Sequence, residues 1–477
     1  MPIISLGQMR EWEKATWAAG QSEAEVIRRV GRAVAEHALR LTHDGDSILI
    51  LAGKGHNGDD ARGAREHLSG REVAILNATE PRAALAEFTQ KVRDRENLRP
   101  PQLIIDGLFG IGLDRPLDDH WRQFIAAVNE TRIPILAVDV PSGLDGNTGQ
   151  PQGAALKAAV TLTVGAPKKG LLEPAAWPYV GRLEVATEVG LAPQPIESEL
   201  QWTLPEDFAG FPPPRSVAGN KGDFGHLAII AGSLGYHGAA VLASRSAQRA
   251  RPGLITLFVP ESVYTPIASQ LQAVMVQPWK TDIDLAGRFS AVLIGPGLAA
   301  PELPDAIKSR TQQLWKDLAI PVIVDASALD WLPSDSPPES AVRVITPHPG
   351  EAARLLKTTA ARVQADRLRA LRELSERCGG AWVVLKGHQT LVGRSADRVF
   401  VNSSGNPGLA QGGSGDVLGG YLAGLLAQPA HASNPLQAIR FAVWQHGAAA
   451  DGLQSSRPNW VVENLVRALG AVQPPAW

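Results

Sequence analysis

The chain has 477 residues, 44% hydrophobic and 20% charged, and its 46 Lys and Arg against 48 Asp and Glu give a formal net charge of −2. This length favours two or three domains, the composition excludes a disordered chain, and the balanced charge provides no global basic field for nucleic acid or anionic lipid. The single cysteine, Cys378, excludes a disulfide framework and fits a reducing compartment. Because neither a signal-peptide pattern nor 18 consecutive apolar residues occurs, we expect a cytoplasmic protein without a membrane span.

The first 190 residues alternate between helical and strand-like segments. Residues 1 to about 40 have helical spacing, and the helices Asp60–Leu68, Pro81–Arg95 and Asp119–Glu130 are predicted further along. The predicted strands are Ser47–Gly53, Glu72–Asn77, Gln102–Gly110 and Pro134–Gly143, with Val160–Val164 and Leu183–Val185 as weaker candidates. Alternation of this kind predicts a parallel sheet covered by helices on both faces.

A proline-rich stretch, Leu191–Gly219, follows and includes the run Pro212–Pro214. Proline fixes φ and removes a hydrogen-bond donor, so this segment is predicted to be an extended domain junction without regular structure. The alternative interpretation is a proline-rich ligand for another module.

Strand-helix alternation restarts after the junction and ends in an alanine-rich helical tail. The predicted strands are His226–Gly232, Leu254–Pro260, Ala291–Gly297, Pro321–Ala326, Val342–Gly350 and Ala381–Gly387. The chain is therefore predicted to be two α/β units in tandem.

The loop Gly53–Asp60 follows a strand, opens a helix and has the spacing G-x-G-x-x-G of dinucleotide-binding turns. Two features argue against an ordinary nicotinamide dehydrogenase. Asn77, rather than an acid, ends the next strand, and the carboxylates of Asp59 and Asp60 lie beside the expected phosphate cradle. The alternative is a tight strand-helix turn without a ligand.

Two further strands also end in acidic residues. Asp106 begins the open glycine loop Asp106–Pro116, and Asp139 precedes a rigid Pro-Ser-Gly turn. Parallel α/β sheets bind ligands at the carboxyl ends of their strands. Each aspartate alone is equally consistent with a turn cap, but acidic ends on successive strands favour a ligand site.

Taken together, these segments resemble the epimerase domain of the NAD(P)H-hydrate repair enzymes, the YjeF N-terminal family. The family patterns correspond to Gly55–Asp60, Asp106–Gly112 and Asp139–Asp145, and the resemblance covers roughly residues 3–190. It implies a Rossmann-like three-layer α/β/α domain, which we assign to residues 1–205. The chain departs from the family pattern at His56, which replaces an Asn, and at Asp59, which replaces a Gly.

The resemblance also implies roles for individual residues. Asn57, Asp106 and Ser142 would bind a potassium ion, and Asp139 would contact the substrate as the acid/base at the hydrated nicotinamide carbon. The dinucleotide would be held by His56, Asn57, Gly58, Asp59, Asp60, Gly110, Ile111, Gly112, Leu113, Asp114, Arg115 and Pro116.

The strongest signal of the second unit is Gly412–Asp416, followed by the apolar helix Val417–Leu426. Consecutive backbone N–H groups at a helix start form a cradle that stabilises phosphoryl charge. The alternative is that Asp416 only caps the helix, where the dipole favours an acid. Lys386–Thr390 and Thr346–Glu351 end neighbouring predicted strands and favour the phosphate interpretation.

This unit resembles the ribokinase-like fold and, more closely, the nucleotide-dependent NAD(P)H-hydrate dehydratases. The matching segments are Lys221–His226, Gly232–Ser233 with Gly238–Ala240, Gly295–Gly297, Asp325–Leu329, Thr346–Glu351, Lys386–Thr390 and Gly412–Asp416. The resemblance implies a ribokinase-like α/β domain, assigned to residues 206–477, in which Asp416 contacts the hydrate as the base. The adenine nucleotide would be bound by Lys386, Gly387, His388, Gln389, Thr390 and Gly415, and the hydrate by Ala239, Gly297 and His348.

The two resemblances together imply one repair reaction on NADH and NADPH hydrates. Phosphorylation turns the hydroxyl of the S hydrate into a good leaving group, phosphate elimination restores NAD(P)H, and the epimerase converts R to S. Phosphoryl transfer implies Mg²⁺ with ADP or ATP, and the fused layout favours ADP. The expected partners are small molecules rather than nucleic acid, and a homo-oligomer is not excluded. The alternatives are a small-molecule kinase of the hydroxymethylpyrimidine or ribokinase type with an accessory Rossmann-like domain, and a nucleotide-sensing protein without turnover.

Overall fold

The structure, a computed structural model, describes residues 1–93, 100–193, 196–301, 303–333 and 341–474. It divides the chain into two compact units, Met1–Glu199 and Leu200–Trp477. Residues 94–95 of a predicted helix and residues 194–195 of the predicted junction lie outside the described residues. None of the helices in the described ranges is long and apolar enough to cross a membrane.

The first unit alternates helices and strands as the sequence predicts. Its elements are α1 (Leu6–Ala18), α2 (Glu23–Leu41), β1 (Ser47–Ala52), α3 (His56–Gly63), β2 (Glu72–Asn77), α4 (Pro81–Arg93), β3 (Leu103–Gly107), α5 (Asp119–Glu130), β4 (Ile135–Val138), β5 (Val160–Val164), α6 (Trp177–Val180) and β6 (Arg182–Ala186). The first helix begins where Ser5 and Gln8 form a reciprocal capping box, which satisfies backbone N–H groups that the helix leaves unpaired.

All six strands are parallel, in the order β2-β1-β3-β4-β5-β6. The apolar run of β1 is continuous because both faces of the strand are buried. Ile48 and Ile50 pack with Val30 of α2, whereas Leu49 and Leu51 pack with Phe124 of α5. The predicted parallel sheet covered on both faces is confirmed.

The second unit is larger and contains the remaining elements. These are β7 (Leu200–Trp202), β8 (His226–Ile230), α7 (His237–Ala250), β9 (Leu254–Val259), α8 (Tyr264–Ala268), β10 (Met275–Pro278), β11 (Ala291–Ile294), α9 (Asp305–Asp317), β12 (Val322–Val324), β13 (Arg343–Ile345), α10 (Pro349–Leu355), α11 (Ala360–Ala365), α12 (Arg367–Arg377), β14 (Trp382–Leu385), β15 (Leu391–Gly393), β16 (Val399–Val401), α13 (Ser414–Leu426), α14 (Pro429–Ala432), α15 (Pro435–Ser456) and α16 (Val462–Ala468).

These strands form one ten-stranded sheet in the order β10-β9-β8-β11-β12-β13-β14-β15-β16-β7. The strands from β10 to β14 are parallel, and β15 runs antiparallel to both of its neighbours. The carboxyl ends of β11, β12, β13 and β14 therefore meet at one edge of the sheet, where the predicted site loops begin.

The prediction that Leu191–Gly219 lacks regular structure is wrong for part of the segment. β7 lies within it and adds a strand to the sheet by pairing with β16 in parallel. Residues 205–208 then form a short 3-10 helix. The physical reason is apolar burial, since Trp202 and Phe208 are almost completely inaccessible and the Phe208 ring packs on Trp444.

Arg343 on β13 is a buried cation that supports this unit. It is 1% exposed and donates to four backbone carbonyls, including those of Trp315 (2.7 Å), Ile320 (3.2 Å) and Leu318. Burial lowers the pKa of its guanidinium to about 10. The side chain thus ties β13 to the end of α9 and the turn that follows it.

We expect Arg343→Met to lower the free energy of unfolding of this unit by about 2–4 kcal/mol, because buried carbonyls lose their donors. Urea denaturation followed by tryptophan fluorescence measures the change. Arg369→Met removes an exposed arginine that pairs with Glu373, and it is the matched control for which we expect no measurable shift. An unchanged midpoint for Arg343→Met would show that the carbonyls are satisfied without it.

Candidate active sites

The predicted dinucleotide loop of the first unit leads directly into α3. The helix begins at His56, four residues before the predicted start at Asp60, with Gly55 as its N-cap. The helix start lies against β1, since a Cβ on Gly58 would be 2.2 Å from the Gly53 carbonyl oxygen. The ring of His56 pairs with Glu23 (2.9 Å) at the surface. The N–H groups of Gly58 and Asp59 donate to the Gly55 carbonyl, so what the loop offers to an anion is the backbone N–H groups that precede them at the helix start.

Asn57, Asp106 and Ser142, predicted as cation ligands, lie together around the Phe109 peptide. The Asn57 amide donates to the Phe109 carbonyl (3.0 Å), and the Phe109 N–H donates to the Ser142 hydroxyl (2.8 Å). Ser142 donates to Asp106 through both its hydroxyl (2.5 Å) and its N–H (2.8 Å). Asp106 is fully buried, and burial raises its pKa to about 6 against the opposing effect of the Ser142 hydrogen bonds.

The second glycine loop also reaches this cluster. A Cβ on Gly110 would lie 3.1 Å from the Asn57 Cβ, so the two predicted dinucleotide segments are in contact. The Ile111 carbonyl accepts from Arg10 of α1 (2.9 Å). Residues 112 and 114–116 are exposed, and Leu113 is partly buried.

Asp139 follows β4 in a left-handed conformation with φ of 64°, which is uncommon for a residue other than glycine. Its side chain is nearly buried and accepts hydrogen bonds from the Val164 N–H (3.0 Å), from Thr163 (3.2 Å) and from Lys168. The surroundings hold the carboxylate in one orientation at the edge of the sheet.

Lys168 is a site residue that the sequence analysis missed. It is fully buried and its ammonium group contacts Asp139, the Thr163 hydroxyl (3.1 Å) and the Val164 carbonyl (2.7 Å). Burial of a lysine at this depth is rare unless the charge is paired. The available signal was a lysine four residues after an apolar strand, at the sheet edge where Asp106 and Asp139 also lie.

Two more carboxyl groups, those of Asp60 and Glu13, lie close enough to Asp139 to be affected by its charge. Burial and then the charge of Asp139 raise the pKa of Asp60 well above its ordinary value. The same two causes raise the pKa of Glu13 on α1. The first unit therefore places a lysine-paired carboxylate beside carboxyl groups that favour the protonated form, an arrangement suited to acid-base chemistry.

The segment predicted to form the anion cradle of the second unit lies at the start of α13. Gly413 is the N-cap with φ of 92°, a conformation that favours glycine. Gly415 lies beside Lys386, since a Cβ there would be 3.3 Å from the lysine Nζ. The buried His446 donates to the Ser414 carbonyl (3.0 Å), and burial lowers its pKa to about 4, so this ring is neutral.

Asp416 lies in the first turn of α13 and is mostly buried. Burial raises its pKa to about 7, the negative charge of Asp325 adds to the effect, and Lys386 opposes it. The N-cap Gly413 has no side chain that could cap the helix, and Asp416 lies three residues further on, in the first turn. A carboxylate whose pKa lies near neutrality is well matched to accept a proton.

Lys386 is held by a buried carboxylate network. Its Nζ lies 3.0 Å from an Asp325 oxygen and 3.8 Å from Glu351, and Thr346 donates to Asp325 (2.6 Å). Asp325 and Glu351 belong to the matching segments but received no role from the sequence. Asp325 directly follows β12, as Asp139 directly follows β4, and this position after a strand was the available signal.

The loop Lys386–Thr390 is fixed by Arg367, which the sequence analysis also missed. The arginine donates to the carbonyls of Leu385 (3.2 Å), Gln389 (3.2 Å) and His388. Gln389 adopts a left-handed conformation with φ of 53°. Three carbonyl groups at this loop are therefore directed to one partly buried guanidinium.

The remaining predicted hydrate-binding residues fall into two places. Ala239 and Gly297 are adjacent, since a Cβ on Gly297 would be 2.9 Å from the Ala239 Cβ. His348 is the N-cap of α10, where its Nδ1 accepts from the Gly350 N–H (3.0 Å) and its Nε2 lies 3.4 Å from Glu351. Through Glu351 the histidine is linked to Lys386 and hence to the Asp416 region.

Comparison with known proteins agrees with both units. The family described as YjeF-related protein N-terminus matches residues 23–170, and the family described as NAD(P)H-hydrate dehydratase matches residues 227–468. The bifunctional NAD(P)H-hydrate repair enzyme Nnr of Gloeobacter violaceus is 35% identical over 98% of this chain and 96% of its own. The Escherichia coli enzyme of the same name is 34% identical over 90% of this chain and 85% of its own.

The solved structures support the predicted fold of the second unit. A ribokinase-like superfamily protein from Enterococcus faecalis superposes with a TM-score of 0.51 at 25% identity, covering 59% of this chain and 97% of the other. The predicted fold class and family resemblance are thereby confirmed. The chain belongs to the family of bifunctional NAD(P)H-hydrate repair enzymes.

Proposed function

We propose that residues 1–205 interconvert the R and S forms of NADH and NADPH hydrates, and that residues 206–477 dehydrate the S form with ADP as phosphoryl donor. The observation that carries the proposal is Asp416, which combines a pKa raised to about 7 with a position in the first turn of a helix beside a lysine. Family membership supports the pairing of the two activities in one chain.

The dehydration needs two steps, because hydroxide is a poor leaving group. In the first, Asp416 takes the proton of the hydrate hydroxyl, whose oxygen attacks the terminal phosphorus of ADP, forming an O–P bond and releasing AMP. In the second, the C–O bond breaks, phosphate leaves with the electron pair, and a proton is lost from the neighbouring ring carbon. The products are NAD(P)H and phosphate, so atoms and charge balance.

The nucleotide would lie between the α13 cradle and the loop that Arg367 fixes, with Gly415 and Lys386–Thr390 as its contacts. Backbone N–H groups of the cradle would stabilise charge on the transferring group. Mg²⁺, when bound, offsets negative charge between the phosphate oxygens. Because Lys386 already pairs with Asp325 and approaches Glu351, we expect the ion to be held chiefly by the nucleotide phosphates. Ala239, Gly297 and His348 would contact the hydrate.

In the epimerase domain, Asp139 is the base, and Asp60, whose pKa is raised by burial and by the charge of Asp139, is the candidate acid. Protonation of the hydroxyl lets water leave as the ring nitrogen donates its lone pair, which gives a planar carbon. Water then returns to the opposite face while Asp139 accepts its proton, and proton exchange with solvent returns Asp139 to the carboxylate and Asp60 to the acid for the next turnover. Lys168 keeps Asp139 oriented throughout, since it also binds Thr163 and Val164.

The donor set around Phe109 fits a potassium ion, although K⁺ itself is a proposal. The carboxylate of Asp106, the amide oxygen of Asn57, the hydroxyl of Ser142 and the Phe109 carbonyl are all oxygen donors, which hard cations prefer. The buried charge of Asp106 is one that a cation would compensate. A bound ion would supply positive charge near the dinucleotide phosphates.

One assay tests the proposed function. Purified protein is incubated with mixed R and S hydrates, ADP or ATP, and Mg²⁺, and the absorbance of the reduced nicotinamide is followed. Complete recovery supports both activities, and recovery of only the S fraction supports the dehydratase alone. A stable phosphorylated product would favour the kinase alternative, and no recovery would contradict the proposal.

The pKa of Asp416 predicts an acid limb in the pH profile of dehydration. Only the ionised carboxylate accepts a proton, so kcat/KM should fall about tenfold per pH unit below about pH 7. The assay uses purified S hydrate so that epimerisation does not contribute. A profile that stays flat well below pH 7 would show that Asp416 is not the base.

Two further expectations stay predictions from composition. The cytoplasmic location rests on the single cysteine, and the exclusion of nucleic acid rests on the balanced charge.

A further inference from the structure

Asp59 brings a negative charge into the segment that is proposed to bind the dinucleotide. It lies in the first turn of α3, and its side chain is 46% exposed. An accessible carboxylate within a few ångströms of a phosphate repels it, which works against the attraction of the backbone N–H groups at the start of the same helix. The loop therefore needs a compensating charge if it is to accept a pyrophosphate.

Arg62 supplies that charge from the same helix. Its Nη1 donates to Asp59 (2.8 Å), one turn away. Its Nη2 donates to the Gly53 carbonyl (2.6 Å) at the end of β1, and its Nε donates to the Asn77 side chain (2.9 Å) at the end of β2. The guanidinium is thus fixed by three elements, unlike an arginine that merely forms a surface ion pair.

The position of Asn77 contributes to this arrangement. An acid at the end of the second strand would compete with Asp59 for Arg62 and add a further negative charge near the loop. Asn77 accepts from the same guanidinium while remaining neutral. The charges of Asp59 and Arg62 consequently cancel, and among the described residues no other charged group contacts the Arg62 guanidinium.

We propose that Arg62 is the built-in counter-charge of Asp59 and that this pairing lets the α3 loop bind an anionic dinucleotide. The inference rests on the proposed epimerase function. In this proposal Arg62 promotes binding because it neutralises the charge of Asp59. In the structural alternative, Arg62 only holds α3 to the strand ends through the Gly53 carbonyl and the Asn77 side chain. In a double-variant cycle, the charge role predicts that replacing Asp59 restores the KM that Arg62→Met has raised, whereas the structural role predicts that KM stays raised.

The test measures conversion of purified R NADPH hydrate to the S form by chromatography, with the full chain and without added nucleotide, so that only epimerisation is observed. Arg62→Met should raise KM about five- to tenfold at low ionic strength, with a smaller effect on kcat, because Asp59 is left uncompensated. Asp59→Gly should lower KM, since Arg62 then attracts phosphate. In Asp59→Gly/Arg62→Met, KM should return to near the wild-type value.

Added salt provides a second readout. The rise in KM caused by Arg62→Met should shrink with increasing NaCl if it is electrostatic. A double variant as impaired as Arg62→Met, or an increase that salt does not change, would overturn the proposal in favour of a structural role. If the wild-type chain does not convert R to S at all, the proposed epimerase function itself fails, so the two failures are distinguishable.

Discussion

Asp416→Asn is expected to lower the rate of NAD(P)H recovery from the S hydrate by a factor of about 10³ or more. Asparagine has the same shape but cannot accept the hydroxyl proton, and general-base catalysis typically contributes about 10²–10⁴. The backbone N–H groups at the start of α13 and the loop Lys386–Thr390 remain, so the residual rate reflects only the positioning of the substrates. Stopped assays with saturating ADP and Mg²⁺ measure the loss.

The free energy of unfolding of Asp416→Asn distinguishes a catalytic role of Asp416 from a role in capping α13. Burial raises the pKa of Asp416 in the folded protein to about 7, so the ionised carboxylate is less stable there than in the unfolded chain. Its contribution therefore lowers the free energy of unfolding progressively as the pH rises from the ordinary pKa of an aspartate to about 7. Asp416→Asn should therefore retain or increase the free energy of unfolding at pH 8. Asp305→Asn, at the first turn of α9, is the matched control and should leave activity unchanged. A variant that unfolds more easily yet keeps full rate would support capping instead.

Asp139→Asn should have the second largest effect. We expect R-to-S conversion to fall by about 10²–10⁴, so that recovery from mixed epimers stops near the S fraction. Asparagine is the appropriate replacement because it tolerates the left-handed conformation at this position and still offers an oxygen to Val164. Both replacements remove the carboxylate that pairs with Lys168, but alanine would also add backbone strain and remove the oxygen acceptor that asparagine keeps for the ammonium group.

The internal control for Asp139→Asn is the other activity of the same protein. Its rate on purified S hydrate with ADP and Mg²⁺ should equal that of the wild type. If R-to-S conversion persists at the wild-type rate, Asp139 is not the acid/base residue. If both rates fall together, the substitution has damaged folding rather than catalysis.

The strand ends and their acidic residues are predictable from the sequence because these features are local. An apolar run bounded by turn residues is visible in a few consecutive positions, and the carboxyl ends of parallel strands meet at one sheet edge by geometry. The local features give only the acidic strand ends; the resemblance to the epimerase family groups Asn57, Asp106 and Ser142, and the fold brings them together around Phe109.

The supporting residues could not be predicted in the same way because their partners are distant in the chain. Lys168 meets Asp139 across 29 positions, and Lys386 meets Asp325 across 61. Neither spacing carries a periodic signal. The strand at Leu200–Trp202 was missed for a related reason, since its nearby prolines indicated a linker while its partner, β16, lies about 200 residues later.

Oxygen tracing tests most directly whether the second unit transfers a phosphoryl group to the hydrate. S hydrate prepared with ¹⁸O in its hydroxyl is incubated with ADP and Mg²⁺, and the released phosphate is analysed by mass spectrometry. Our account predicts one ¹⁸O atom in each phosphate, because the substrate oxygen forms the new bond to phosphorus before the C–O bond breaks. Label found in water, with unlabelled phosphate, would contradict it.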